Sequence, residues 1–189
     1  MGPEESARSN YESAHAELIS HFQLRDSVLL TYITATGTIF GISLGTSAKS
    51  EILLAIPYFS LGCSILVSQH NLLIGSLLDF MTEEIAPFLQ HIKSNECAPF
   101  YVTSKSYKRN AMRALRLRFL GHSILMLLPC LIALSFNFKY SIGHSMLMGF
   151  IWWGSLICTI VAFCFLYSVQ LLRTKHHREK QAVLKKQNP

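Results

Sequence analysis

Charge is what this chain has least of. Asp, Glu, Lys and Arg together make up 15% of its 189 residues, where an ordinary soluble domain carries about 25%. The shortage is uneven. Four windows contain none of these residue types: 27–48, 52–78, 119–138 and 140–172. A helix of roughly 20 apolar residues crosses the ~30 Å hydrocarbon core of a bilayer, so each window is long enough to cross once. None holds such a charge near its centre, where ion-coupled transporters and proton pumps usually need one.

Other absences narrow the chemistry. The cysteines, Cys63, Cys97, Cys130, Cys158 and Cys164, are odd in number and lack metal-ligand spacing, so neither a disulfide framework nor a zinc site is implied. There is no P-loop, dinucleotide fingerprint or nucleophile motif, and no inverted repeat of the transporter kind. One Glu-x-x-His pair, Glu12 and His15, stands alone, whereas di-iron bundles carry two with two further inward glutamates. The expectation is a chain without enzymatic activity, metal or cofactor. The first 26 residues are polar and contain no apolar run of the kind that a cleavable signal peptide requires.

The charges that are present lie between the windows, and their signs are sorted. The net charge is +6. Lys49 and Lys139 lie in the two short connectors. The other fifteen Lys and Arg lie before residue 27, between 79 and 118, or after 172. Cytoplasmic loops are the ones that retain Lys and Arg, so both termini and the middle segment are expected in the cytoplasm. The basic residues then act as topology signals. Arg113, Arg116, Arg118, Arg173 and Lys175 are candidate contacts to anionic lipid, and nucleic acid is not expected as a partner.

The fold class that follows is all-α: four transmembrane helices in two hairpins, extended into the cytoplasm as an up-down bundle. An amphipathic helix over 5–26 places Tyr11, Leu18, Phe22 and Arg25 near one face and runs into a first span at 27–47. A second span at 52–71 continues as a cytoplasmic helical extension over 72–93, where Pro87 is a candidate kink. A loop at 94–103 leads to a basic helix at 104–118 and a third span at 119–138. The fourth span is expected at 148–170, with a basic tail at 171–189.

Two polar features invite function. In the first span Gly37, Gly41 and Gly45 recur every four residues, a spacing that lets another helix approach closely, from this chain or from a second copy. In the second window Gln69, His70 and Asn71 interrupt the apolar run. Counting about 20 residues from Ile52 reaches Asn71, so the three are expected as an interfacial group at the cytoplasmic boundary.

The stretches "RDSVLLTYITATGTIFGISLG" and "EILLAIPYFSLGCSILVSQHNLLIGSLLDFMTEEIAPFL" resemble a group of small uncharacterised prokaryotic integral membrane proteins with four spans. These share an Arg-Asp start, a Gly-rich first span, and a Gln-His-Asn exit into an acidic helix ending Glu-x-x-Pro-Phe. The resemblance covers about the first half of the chain. It implies a multi-pass protein of a prokaryotic inner membrane, and no particular activity. In layout alone the chain is also similar to two-span effector modules of bacterial immunity. The function expected is that of a non-enzymatic membrane protein that self-associates, or binds a membrane or cytoplasmic partner, through a cytoplasmic helical bundle. The alternative is an oligomeric pore-forming or growth-arresting effector.

Overall fold

A computed structural model describes the backbone of residues 2–45, 50–92, 105–142 and 145–187, and the side chains of 2–45, 50–89, 116–142 and 145–175. The expected loop at 94–103 and the side chain of Arg113 lie outside these. Among the described residues every regular element is helical.

Helix α1 runs from Pro3 to Ser43 without a break. Pro3 sits in its first turn, where a missing N–H costs nothing, and Glu4 and Glu5 face the positive end of the helix dipole. The expected amphipathic helix and first span are thus one rod, about 60 Å long at 1.5 Å per residue. It ends at Ser43, with the Leu44 N–H bonded to the Phe40 carbonyl.

A 3₁₀ turn, Ser50–Leu54, leads into α2, Ala55–Asp79. A π-helical segment, Phe80–Ile85, joins α2 to the short α3, Ala86–Ile92. The widened segment has an identifiable cause. Pro87, just after it, has no N–H to offer the Glu83 carbonyl, and its ring would crowd that carbonyl in a regular α-turn. The chain absorbs this as a π segment, where a kink was the expectation.

Helix α4 spans Lys105–Phe136 with Pro129 inside it, followed by a 3₁₀ turn at Phe138–Ile142. Helix α5 spans Met146–Gln187. Among the described residues three stretches are long and apolar enough to cross a membrane: Ser50–Leu89, Arg116–Phe136 and Met146–Lys175. The uncharged part of α1, 27–43, is not among them, because the helix ends 17 residues after Asp26.

Helix α2 is central and contacts α1, α4 and α5. Ala14 and Leu18 of α1 pack with Ile74 and Met81, Tyr32 with Cys63 and Val67, and Ile39 with Leu53 and Ile56. The order of these pairs makes α1 and α2 antiparallel. The outer faces are apolar: Leu30, Leu117, Phe150 and Ile157 are each more than half exposed. A water-soluble monomer seldom displays so broad an apolar perimeter, whereas a membrane protein requires one.

Pro129 fixes the level at which the helices lock. It leaves the Leu125 carbonyl without its usual N–H partner and loosens the turn around it. The next carbonyl, that of Met126, accepts hydrogen bonds from Tyr32 Oη at 3.0 Å, Ser60 Oγ at 3.1 Å and Cys130 Sγ at 3.0 Å. One backbone oxygen therefore ties α1, α2 and α4 together in the interior. Hydrogen bonds also clamp the end of the molecule that carries the two short turns. Asn137 Nδ2 donates to the Ser50 carbonyl at 2.7 Å, Tyr140 Oη to Glu51 at 2.5 Å, Trp152 Nε1 to the Leu134 carbonyl at 3.1 Å, and Ser155 Oγ to the Leu54 carbonyl at 3.0 Å.

Candidate functional site: a charged layer across the helices

At the opposite end of the apolar zone, charged and polar side chains from α1, α2, α4 and α5 converge on one level. The helix periodicity that buries Leu18 and Tyr32 also turns Arg25 inward, and it is 8% exposed. Its guanidinium reaches Asp26 Oδ1 through Nε at 2.9 Å and Nη2 at 2.7 Å, and lies 5.1 Å from the Phe22 ring centre. The other guanidinium nitrogen, Nη1, is buried without a hydrogen-bond partner. Arg118 lies 6.0 Å from the same ring. Phe22 is thereby flanked by two cations, an arrangement favoured by the negative face of its π system.

The Gln-His-Asn group is spread in three directions, because successive helix positions are 100° apart. Gln69 is exposed. His70 faces His21 of α1, with the two Nδ1 atoms 3.1 Å apart and the rings 5.3 Å between centres. Such a bond needs one donor and one acceptor nitrogen, so two imidazolium rings cannot form it. His21 Nε2 also lies 3.6 Å from Glu17. Asn71 lies towards α5, where its backbone carbonyl accepts a hydrogen bond from Arg173 Nη2.

Arg173, expected as a contact to anionic lipid, is partly buried. Its guanidinium folds inward and lies flat on α2 at Gly75. A Cβ at position 75 would sit 2.9 Å from Arg173 Cζ, so the absent side chain of Gly75 makes room for the cation. Arg25, Arg118 and Asp79 are all near enough to act on it electrostatically. Beside it a cavity of about 30 Å³ opens between α2, α4 and α5, lined by Ser68, Asn71, Arg118, His122, Gln170 and Arg173 among others. Ser68 is 4% exposed, and its hydroxyl has no hydrogen-bond partner; Asn71 Oδ1 is likewise buried and unpartnered.

The glycine pattern falls elsewhere. Gly37 and Gly41 lie on the exposed face of α1, and among the described residues nothing beyond the helix's own backbone comes within 4 Å of where a Cβ would be. Gly45 follows the helix end. Leu30, Thr34 and Thr38 share that face, directly opposite the buried Arg25, Tyr32, Thr36 and Ser43. The hydroxyls of Thr34 and Thr38 donate to the Leu30 and Thr34 carbonyls, each at 2.9 Å. They are satisfied within the helix, as a hydroxyl in lipid must be.

Of the remaining basic candidates, Arg116 and Lys175 are exposed and Arg118 is half-buried. Sequence reasoning missed His21, His122 and Ser68 as members of the layer. A signal existed for His122, which occupies a window free of formal charge one helical turn after Arg118. No family model, curated protein or solved structure matches the chain. The layer must therefore be interpreted from its own chemistry.

Proposed function

We propose that all four long helices, α1 included, cross a prokaryotic inner membrane in an up-down bundle. The protein acts there without catalysis, by self-association and by presenting its cytoplasmic helical extensions to a partner. Support for the fourth crossing comes from neighbours. The 28–43 part of α1 packs along the same levels of α2 and α4 that the apolar stretches occupy, from the Tyr32 cluster to the Ile39 and Phe40 cluster. A bilayer that holds those stretches surrounds this part of α1 as well. From Glu51, in the 3₁₀ turn before α2, to His70, and from Arg118 to Lys139, in the 3₁₀ turn after α4, a rise of about 1.5 Å per α-helical and about 2 Å per 3₁₀ residue gives about 30 and about 33 Å. Both match a hydrocarbon core of about 30 Å. The excess of Lys and Arg puts the Arg25–Arg118–Arg173 layer on the cytoplasmic side.

The observation that carries self-association is the vacant Gly37/Gly41 face of α1. No described residue of another helix reaches it, and in lipid, close backbone approach is a main source of helix–helix attraction. Native mass measurement in a mild detergent should find more than one copy per particle, and Gly41→Leu should shift the population towards monomer by about tenfold, a change of ~1.4 kcal/mol. A wild-type protein that is strictly monomeric and captures no partner would sink the proposal.

The pore reading is favoured by one feature, the exposed Thr31, Thr34 and Thr38 beside those glycines. Each chain's own interior is filled by Tyr32, Val67, Met126 and Leu166, so a lumen would have to run between copies. Induced expression with a potential-sensitive dye separates the two: depolarisation supports the pore, unchanged potential the scaffold.

A further inference from the structure

We propose that the cavity between α2, α4 and α5 is a binding site for a phosphate ester group, in the first place that of an anionic lipid headgroup. The inference rests on the membrane reading above and names a ligand for its cytoplasmic layer. It differs from a diffuse attraction of surface lysines and arginines to lipid, because here the donors converge. Arg118 and His122 reach the cavity from α4, Arg173 from α5, and Ser68 and Asn71 from α2.

Three observations favour phosphate. The first is charge. Among the described residues of this layer, Arg25, Arg118 and Arg173 meet Asp26, which Arg25 holds, and Asp79, which acts on Arg173. The balance there is positive, and a phosphodiester monoanion would complement it. The second is an unmet donor. Ser68 Oγ, almost wholly buried, has a hydroxyl proton and no acceptor for it among the described residues. A buried polar atom without a partner is unfavourable, and a phosphoryl oxygen in the cavity would accept from it. The third is shape and level. The cavity, at about 30 Å³, has room for roughly two water-sized groups, enough for phosphoryl oxygens but not for a whole headgroup. It is partly open to the surface, and it lies at the depth of His70 and Asn71, where lipid phosphates meet the protein. Arginine suits this ligand because its guanidinium presents several N–H donors in a plane, and Arg173 spends only one of them on the Asn71 carbonyl.

Because a lipid and a soluble phosphate ester share this chemistry, the test has separate arms. The full chain, purified in a phosphate-free maltoside detergent, is given phosphatidylglycerol, phosphatidylcholine or inorganic phosphate. Adducts are read by native mass spectrometry and stability by the thermal midpoint. The expected result is one retained phosphatidylglycerol per chain and a raised midpoint. Affinity should fall at least about tenfold in Arg118→Gln and measurably in Ser68→Ala, as for loss of a charge-assisted and a neutral hydrogen bond. Arg116→Gln, one exposed charge away on the same helix, should bind as the wild type does.

A midpoint raised equally by inorganic phosphate supports the site and assigns it to soluble phosphate esters. Equal loss in Arg116→Gln and Arg118→Gln, or no adduct and no stabilisation in any arm, overturns the proposal. Resistance to alkaline extraction from membranes checks the membrane reading separately. A chain that is extracted sinks that reading, whereas a chain that stays inserted yet binds no phosphate sinks only the site.

Discussion

Tyr140 shows how one side chain can fasten the end of the molecule away from the charged layer. Its hydroxyl donates to the Glu51 carboxylate at 2.5 Å, and Lys139 lies 4.9 Å from its ring centre. The hydrogen bond to Glu51 is the main reason that the Tyr140 hydroxyl holds its proton above the ordinary tyrosine range; desolvation adds to it. The sign follows directly. A raised folded-state value makes a contribution that is complete below the unfolded tyrosine value of about 10, and that is lost as pH climbs through the folded value. Thermal midpoints measured from neutral to strongly alkaline pH should therefore fall less steeply at the alkaline end in Tyr140→Phe than in the wild type. At neutral pH the variant should be the less stable of the two. Identical alkaline slopes would remove Tyr140 as the titrating group.

At the scale of elements, the two internal prolines are accommodated differently. Pro87 is answered by a π segment in the turns before it. Pro129 stays inside an α-helix, and the Met126 carbonyl near it becomes a docking point for α1 and α2. Tyr32→Phe tests how much of the attachment of α1 depends on that point. Ser60 and Cys130 would still donate to the Met126 carbonyl, so no acceptor is orphaned, and the cost should be the net worth of one hydrogen bond, about 0.5–1.5 kcal/mol. A thermal midpoint unchanged by Tyr32→Phe would mean that packing against Phe59 and Val67 holds α1 unaided.

The helices themselves were legible from hydropathy at one end, where each uncharged run stops at a short turn; at the other end α1, α4 and α5 run on well past the first charged residues. The glycine spacing was legible too, but not its direction. Periodicity says that Gly37 and Gly41 share a face. Only the placement of Tyr32 and Thr36 shows that this face looks outward. The charged layer was the least legible part. Arg173 resembled any basic residue after a span, and its inward fold depends on Gly75, about a hundred residues earlier. His21 and His70 meet across 49 positions. Such meetings depend on the rotation of each helix about its axis, which no local pattern specifies.

The whole molecule has an apolar girdle between two polar ends, and the proposed orientation assigns a side to each. In intact bacterial cells, a cysteine replacing Lys139 in a background without the native thiols should react with an impermeant maleimide. A lone Cys97, in the basic middle segment, should react only after the membrane is opened. The reverse result would invert the proposed orientation, and labelling of neither would place both connectors out of reach. The projection beyond the girdle is not bare helix. Ala14 and Leu18 close over Ile74 and Met81 there, with Tyr11 and Phe80 packed around them, so α1 and the α2 extension share a core of their own.

The unbroken length of α1 has a mechanical corollary. Its partner along that core, α2, carries a π segment that can take up torsion, whereas α1 has no joint between Pro3 and Ser43. On the proposed reading, a neighbouring copy that displaced the outward face would push on an unjointed rod, and the far end of that rod, at Tyr11 and Ala14, rests against the jointed helix.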